Sequence, residues 1–390
     1  MPFVTLPYVA WAVPLGLMAV VLLSSCYLPR QGYHLIAQQV ATRPISSIAE
    51  EDQTRKEREL FAEVAAIRRF ATEELGLTPG DSYTTYYRTD RDHLVDVVSA
   101  AGEFSFDRKE WWFPVFGRFP YKGFYRREPA EQLAGRLKAQ GWDVIVRPVD
   151  AFSTLGYFTD PVISFMADYS VARLAELIIH ESAHATLWLR GESQFNEEFA
   201  TFVGRMGAEH YLAYRHGADS DALQEFLQRR RDQERFRADV QALKAQLQEL
   251  YHSYAEQPAE ALPGDDRPQD ELSQGERSGD DLPAEALPME ARRTAKQELI
   301  SSYQREFADR YDGRYETDTY RFFAEFSVNN AYLDLFETYS GNIDQFHRFH
   351  DEAGGGELPV TIAELTKRAA AWKELPRGNR PDPLTLLKAR

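Results

Sequence analysis

The residues with the clearest chemical potential are two histidines four positions apart, His180 and His184, with Glu181 directly after the first. They form the pattern H-E-x-x-H. On a helix, residues four apart lie on one face, so both imidazoles can bind one metal ion. Two neutral imidazoles and one carboxylate leave the fourth tetrahedral position of Zn²⁺ to water, which distinguishes a catalytic zinc site from a structural one.

Two helices are expected to position these residues. Apolar residues at helical spacing precede and follow the pentapeptide, Ser170 is placed to cap the first helix, and that helix is expected to continue to Leu189. Gly191 is placed to end it. A second amphipathic helix is expected to begin near Ser193. The pattern therefore predicts a hairpin of two helices with the histidines on the first.

The second helix supplies the third ligand. The turn at Arg190-Gly191 is equidistant in sequence from His184 and Glu197. If the two helices are antiparallel, His184 and Glu197 reach about the same height, and Glu197 completes a metal site. Glu198, rotated by about a third of a turn, is the alternative third ligand.

The segment around Glu197, Phe195 to Phe202, resembles the N-E-G-F-A segment that carries the glutamate ligand of aminopeptidase N-type gluzincins. Over about residues 26 to 350, apart from an acidic insert, the chain resembles a family of bacterial lipoproteins named as aminopeptidases. The resemblance implies one Zn²⁺ per chain, bound by His180, His184 and Glu197, with Glu181 as catalytic base. The motifs that carry it, besides the histidine-containing hairpin, are F-P-V at 113–115, Y-K-G-F-Y at 121–125, S-T-L-G-Y-F at 153–158 and N-N-A-Y at 329–332.

The expected activity is zinc-assisted hydrolysis of peptide bonds. Glu181 would take a proton from the zinc-activated water, and Tyr157 or Tyr332 could donate a hydrogen bond to the oxyanion. Peptide substrates are expected to pair as a strand near residues 150–157. The G-x-M-E-N strand that binds the substrate amine in aminopeptidase N is absent, so a peptidase is better supported than an aminopeptidase. The alternative is a non-catalytic, zinc-stabilised envelope lipoprotein that acts as a scaffold or binding module.

The N-terminus indicates a lipid anchor. Residues 1–25 carry no charged side chain, and an apolar run ends in Leu23-Ser24-Ser25-Cys26, which resembles a bacterial lipobox. Cleavage before Cys26, the only cysteine, would allow acylation of its thiol and leaves no internal disulfide. An uncleaved transmembrane anchor is the alternative. Tyr27 after the cysteine resembles outer-membrane sorting, so the expected location is the periplasmic face of the outer membrane.

The net charge of −16 limits the partners. It argues against nucleic-acid binding, which requires a basic surface, and against electrostatic attachment to anionic lipid. The expected partners are peptide substrates and the lipid bilayer, the latter through acylated Cys26. The sequence indicates no specific protein partner.

The expected fold class is α+β, with a zincin-like lobe that contains a mixed sheet and the H-E-x-x-H hairpin, followed by a mostly helical C-terminal part. Residues 255–289 are rich in Asp, Glu and Pro and lack aromatic residues, which predicts a disordered insert. The expected divisions are a signal peptide (1–25), a tether (26–49), the peptidase core (50–254), the insert (255–289), a helical part that completes the core (290–353) and a tail (354–390) that is weakly ordered or, as the alternative, a surface helix.

Individual elements are expected from periodicity and turn residues before and after the hairpin. They are a charged helix at 50–75, strands at 80–87 and 94–99, an aromatic hairpin at 111–125 with a turn at Lys122-Gly123, a helix at 128–140, a strand at 142–148, and helices at 220–252 and 292–307.

Overall fold

The architecture is mixed α+β. The structure, a computed structural model, describes residues 40–113, 117–149, 160–255, 287–336 and 342–388. Helices dominate, and the strands form three small sheets. The expected α+β class is therefore confirmed. None of the helices within these ranges has the length and apolar character needed to span a bilayer.

The first two helices alternate with strands. The remaining helices follow one another after the last strand. Within the described ranges the helices are α1 (Arg55–Glu73), α2 (Arg127–Ala139), α3 (Val171–Thr186), α4 (Ser193–His216), α5 (Asp221–Ala255), α6 (Met289–Arg314), α7 (Asn330–Asp334), α8 (Ile343–Glu352) and α9 (Leu358–Glu374).

The strands lie mostly before α3. They are β1 (Arg43–Pro44), β2 (Thr85–Tyr87), β3 (Val95–Gly102), β4 (Trp111–Phe113), β5 (Gly117–Phe119), β6 (Tyr121–Phe124), β7 (Trp142–Val149) and β8 (Val162–Ile163). One sheet has the order β1-β2-β8, with β2 and β8 parallel; another is antiparallel, with β3 between β6 and β7; β4 pairs with β5.

Three apolar clusters hold these elements together. The largest joins α1, α3, α4, α8 and α9 and surrounds the buried faces of α3 and α4. The second lies between α5, α6 and α7, where Phe236, Phe307 and Phe323 are almost fully buried. The third packs α2 against the β6-β3-β7 sheet. The helices α3 and α4 are therefore fixed from several sides, which restricts movement of the side chains between them.

The ends of α3 follow local side-chain chemistry. At its start the hydroxyl of Ser170 accepts a hydrogen bond from the Arg173 amide, as expected for an N-cap. The helix ends at Thr186, three residues before the expected Leu189. The buried Asn196 side chain explains the difference, because its amide accepts from the Leu189 N–H and donates to the Leu189 carbonyl, both at 2.8 Å. These bonds hold the connection in a non-helical form.

Two expectations for other elements were wrong. Lys122-Gly123 does not form a turn, since both residues lie in β6 and pair with β3. The tail after residue 354 is not weakly ordered in the part described, because α9 is packed into the main core. Its apolar side chains recur at helical spacing, which the flanking glycines and prolines obscured: Leu358, Ile362, Leu365, Ala369 and Trp372.

Candidate metal centre

The three predicted ligands lie together between α3 and α4. Nε2 of His184 is 3.5 Å from Oε1 of Glu197, and Nε2 of His180 is 3.7 Å from Oε2 of the same carboxylate. Donor atoms of all three residues fall within 4.8 Å of one another. Among the described residues, this is the group of histidine and acidic side chains arranged to hold a metal ion.

Close packing of the helices brings the ligands together. Gly204 of α4 lies against α3, and a Cβ at this position would come within 3.0 Å of the Glu176 carbonyl oxygen and of the His180 Cβ. A larger residue would force the two backbones apart. The small size of Gly204 therefore sets the distance between α3 and α4, and with it the distance between His180 and Glu197.

The ionisation of the ligands suits metal binding. Burial lowers the pKa of His180 to about 4, with His184 and Arg205 acting in the same direction, so the imidazole is neutral at pH 7. Burial alone would raise the pKa of Glu197, but the contact with His184 and the proximity of His180 outweigh it and lower the pKa. A neutral imidazole and an ionised carboxylate are the forms that bind a metal without losing a proton.

Glu181 lies close to this group, and one of the acidic residues near it, Asp160, was not foreseen from the sequence. Burial raises the pKa of Glu181 to about 7, and the nearby Asp160 and Glu197 act in the same direction. Burial also raises the pKa of Asp160 to about 6. A divalent metal ion held by His180, His184 and Glu197 would lower the pKa values of Glu181 and Asp160 again. Its positive charge would be the largest charge in the site and would favour the ionised carboxylates. Glu181 is thus a carboxyl group beside the three candidate ligands with a pKa close to neutrality.

Tyr83 is a further neighbour that sequence reasoning missed. The side chain is buried, and burial raises its pKa well above the ordinary value. The charges of Glu181 and Asp160 add to this effect. The Tyr83 amide donates a hydrogen bond of 2.6 Å to the Asp160 carbonyl, and its φ of 60° is unusual for a non-glycine residue. The positive φ is the kind of local strain found at functional sites. Nothing in the sequence around residue 83 signals it.

Glu198, the alternative ligand, points elsewhere. Its carboxylate is buried and accepts hydrogen bonds from the Asn342 side chain and from Gln194. Consecutive residues of a helix point in different directions, so Glu198 points away from the metal group when Glu197 points towards it.

Tyr332 packs in the second apolar cluster. Its ring contacts Phe323, Phe326 and Phe336, and within the described ranges its contacts are with aromatic side chains rather than with the three ligands. The preceding residues anchor this segment to the sheet, since Asn330 donates to the carbonyl oxygens of Gly102, Glu103 and Ser105. The N-N-A-Y motif therefore joins the second apolar cluster to the β6-β3-β7 sheet. Tyr157, the 150–157 strand edge, Cys26 and most of the acidic insert lie outside the described residues.

Comparisons with known proteins were made for the whole chain. No curated protein matches it, and no solved structure matches it. A family model described as "Putative aminopeptidase" matches residues 26–267 and 269–382, which is most of the chain and extends beyond the expected limit near residue 350. On the strength of this match, the chain belongs to that aminopeptidase family.

Proposed function

We propose that this protein is a zinc-dependent peptidase, with His180, His184 and Glu197 as the metal ligands and Glu181 as the general base. The observation that carries the proposal is the convergence of two Nε2 atoms and one carboxylate at 3.5 and 3.7 Å between two packed helices. The family match supports a peptidase. The H-E-x-x-H spacing and the later glutamate support a zincin-like, gluzincin-type arrangement.

The donor set fits zinc better than the hard cations. Two imidazole nitrogens and one carboxylate are typical ligands of catalytic zinc, whereas Mg²⁺ and Ca²⁺ prefer sites made of oxygen atoms. No cysteine lies among the three donors, and a structural zinc site usually has a fourth protein ligand. When bound, zinc would supply a Lewis acid that acidifies water and polarises the scissile carbonyl.

The side chains of the protein then carry out the proton transfers. Glu181 accepts the proton of the attacking water and returns it to the leaving amine. The carboxyl is half-buried, and the lower local polarity strengthens its interaction with the reacting groups. Tyr157 remains the proposed donor to the oxyanion, while the aromatic surroundings of Tyr332 favour a packing role for that residue. Tyr83 lies near enough to Glu181 and Asp160 for their charges to raise the pKa of its hydroxyl.

The test is a mixed peptide library incubated with the detergent-solubilised full chain, with and without a chelator, and analysed by mass spectrometry. Chelator-sensitive cleavage, restored by added Zn²⁺, is the expected result. Stoichiometric zinc without cleavage of any peptide would instead favour the scaffold. Cleavage that is insensitive to chelator would overturn the zinc assignment.

We further propose that Cys26 carries a lipid anchor and holds the protein in the bacterial envelope, facing the periplasm. The lipobox-like Leu23-Ser24-Ser25-Cys26 supports this, as does a family match that begins at residue 26. Metabolic labelling with a fatty-acid analogue should label the parent and not Cys26→Ala, with zinc content equal in both. An unlabelled parent would favour a transmembrane anchor.

A further inference from the structure

A cavity lies at the connection between α3 and α4. Its volume is about 640 Å³, within the range of about 300–1,000 Å³ that is usual for pockets that hold small organic molecules. Two indole rings and three cationic side chains contribute to its lining. The aromatic and charged residues of this cavity, called the tryptophan cavity below, are Trp188, Arg190, Glu192, Trp372, Lys373 and Arg380.

Trp188 belongs both to this cavity and to the surroundings of the metal group. Its ring packs edge-on to the imidazole of His184, with 5.5 Å between the ring centroids. The backbone next to it is fixed, because the buried Asn196 side chain makes two hydrogen bonds of 2.8 Å with Leu189. A molecule in the cavity that touches Trp188 would therefore contact a side chain that itself contacts a candidate zinc ligand.

One cation of the tryptophan cavity is held in a fixed place. The Arg380 guanidinium lies over the Trp372 ring, 4.8 Å from its centre. It also donates hydrogen bonds to the carbonyl oxygens of Lys373 and Leu375, the latter at 3.0 Å. An uncharged ring and two carbonyl groups orient the guanidinium without cancelling its charge, so Arg380 is preorganised to bind an anion.

The other two cations of the cavity, Arg190 and Lys373, are exposed. Within the described residues neither of them forms an ion pair, and the one carboxylate of the lining, Glu192, pairs with neither of them nor with Arg380. Three cations and one carboxylate leave an excess of two positive charges, in a chain whose net charge is −16. The tryptophan cavity is therefore a local site of attraction for anions.

We propose that the tryptophan cavity binds a small aromatic carboxylate and that this ligand, through Trp188, restricts His184 in an orientation that favours zinc binding. The carboxylate pairs with the cationic side chains through charge-assisted hydrogen bonds. The aromatic ring packs on the Trp188 indole, because two aromatic rings attract each other beyond the effect of area burial. An indole packed on both sides has fewer orientations, which leaves fewer for the imidazole beside it. The effect on zinc rests on the proposed role of His184 as a ligand.

The test measures the binding of 3-phenylpropanoate, its amide and acetate to the detergent-solubilised full chain by calorimetry, with and without zinc. We expect the amide to bind about tenfold more weakly or worse, since a hydrogen bond between charged groups is worth that factor. Acetate should also bind more weakly, because it has no ring to pack on Trp188. Zinc should tighten binding of the acid about fivefold or more, which is a typical size for coupling between two sites.

Variants of the lining assign the binding to the tryptophan cavity. Arg190→Gln and Lys373→Gln should each weaken binding of the acid, and both side chains are exposed, so the fold should be kept. Lys367→Gln is the control, because Lys367 lies on the same helix as Lys373, is 76% exposed and is not part of the lining. Trp188→Leu keeps an apolar side chain and should remove the effect of zinc on binding of the acid.

Each outcome bears on a different part of the inference. Equal affinity for acid and amide, or parental affinity in both glutamine variants of the lining, would overturn the anion site. Acetate or inorganic phosphate that binds as tightly as 3-phenylpropanoate would overturn the aromatic specificity. Equal affinity for the acid with and without zinc would overturn the link through Trp188. Acetyl-glycyl-phenylalanine, if it binds more tightly than 3-phenylpropanoate, would identify the ligand as the end of a peptide, and the reverse order would identify a free acid.

The readouts also separate this inference from the proposed function. Binding of the acid is measured without hydrolysis, so a protein that cleaves no peptide would overturn the peptidase and leave the tryptophan cavity standing. A parent that holds no zinc would overturn the metal site and its link to Trp188. The preference for acid over amide would still decide whether the cavity binds an aromatic carboxylate.

Discussion

Nε2 of His184 lies 3.5 Å from Oε1 of Glu197, across the gap between α3 and α4. The Trp188 ring packs edge-on to the imidazole at 5.5 Å between centroids and restricts its rotation. The pair thus combines one residue of the pentapeptide with one residue thirteen positions later. Because each side chain is held by its own helix, the pair preorganises a metal site before any ion binds.

The first prediction concerns metal content. Replacing His184 with Ala removes one of three ligands and leaves two, which hold zinc too weakly to survive dialysis. We expect the parent to retain about one zinc per chain and His184→Ala to retain almost none, measured by elemental analysis after dialysis. His216→Ala is the control, because His216 is exposed at the end of α4. Unchanged zinc in His184→Ala would show that the ligand assignment is wrong.

The second prediction separates binding from catalysis. Glu181→Gln preserves the size of the side chain and leaves the three ligands intact, but an amide cannot accept the proton of the attacking water. We expect full zinc content and a fall in kcat of about 10²–10⁴-fold, the usual contribution of a general base. Glu73→Gln, exposed at the end of α1, should behave as the parent. Parental kcat in Glu181→Gln would remove Glu181 from the mechanism.

The local parts of the site could be predicted from sequence. The Ser170 cap, the start of the second helix at Ser193 and the meeting of His184 with Glu197 all depend on short-range periodicity and on one turn. Local rules suffice here because the two helices adjoin in sequence.

The remaining parts depend on long-range packing. Asp160 and Tyr83 reach Glu181 through the parallel pairing of β2 with β8, two strands about 75 residues apart in sequence. Short strands of two or three residues give almost no periodic signal. The early end of α3 was also missed, since it depends on the side chain of Asn196 bonding back to Leu189. Propensity scales do not include such bonds between elements.

The third prediction tests the close contact of the helices. In Gly204→Ala, the added Cβ would lie 3.0 Å from the Glu176 carbonyl oxygen and the His180 Cβ. Overpacking of this kind costs about 1–3 kcal/mol. We therefore expect a lower melting temperature and weaker zinc binding, measured by calorimetry and by competition with a chelator.

Gly135→Ala is the matched control for Gly204→Ala. Gly135 lies inside α2, and no atom would lie within 4 Å of an added Cβ. Alanine has the higher helix propensity, so a gain in stability of up to about 1 kcal/mol is expected. If both variants shift the melting temperature alike, the contact at Gly204 does not set the helix separation.

The fourth prediction concerns the acidic insert. Deleting residues 258–286 should leave the fold and the zinc site intact, because the flanking ends of α5 and α6 already contact each other. The Arg292 guanidinium lies 5.2 Å from the centre of the Tyr254 ring, and both helices contribute to the second apolar cluster. Loop-closure cost changes slowly with length, so a shift in melting temperature of only a few degrees is expected. A marked rise in peptidase rate would mean that the insert covers the cleft, and a collapse in stability would show that it is packed.

The fifth prediction is a pH dependence of stability that originates at Glu57, far from the metal group in sequence. Burial alone would raise the pKa of this carboxyl, but hydrogen bonds from Tyr86, Thr54 and Arg88 outweigh it and lower the pKa from 4.5 to about 2. Because the folded pKa is the lower one, the stabilisation is complete above pH 4.5 and is lost as the pH falls towards 2. The difference corresponds to at most about 3 kcal/mol.

Chemical denaturation of Glu57→Gln and the parent between pH 2 and 7 measures this contribution. The free energy of unfolding should differ most at neutral pH, and the two proteins should converge as Glu57 becomes protonated in the parent. Glu59→Gln, on the exposed face of the same helix, removes a pair whose side chains are 61% and 86% exposed, and such surface pairs contribute little. A gap between Glu57→Gln and the parent that stays constant down to pH 2 would show that the loss arises from packing. The hydrogen bonds around Glu57 would then stabilise α1 without any dependence on its charge.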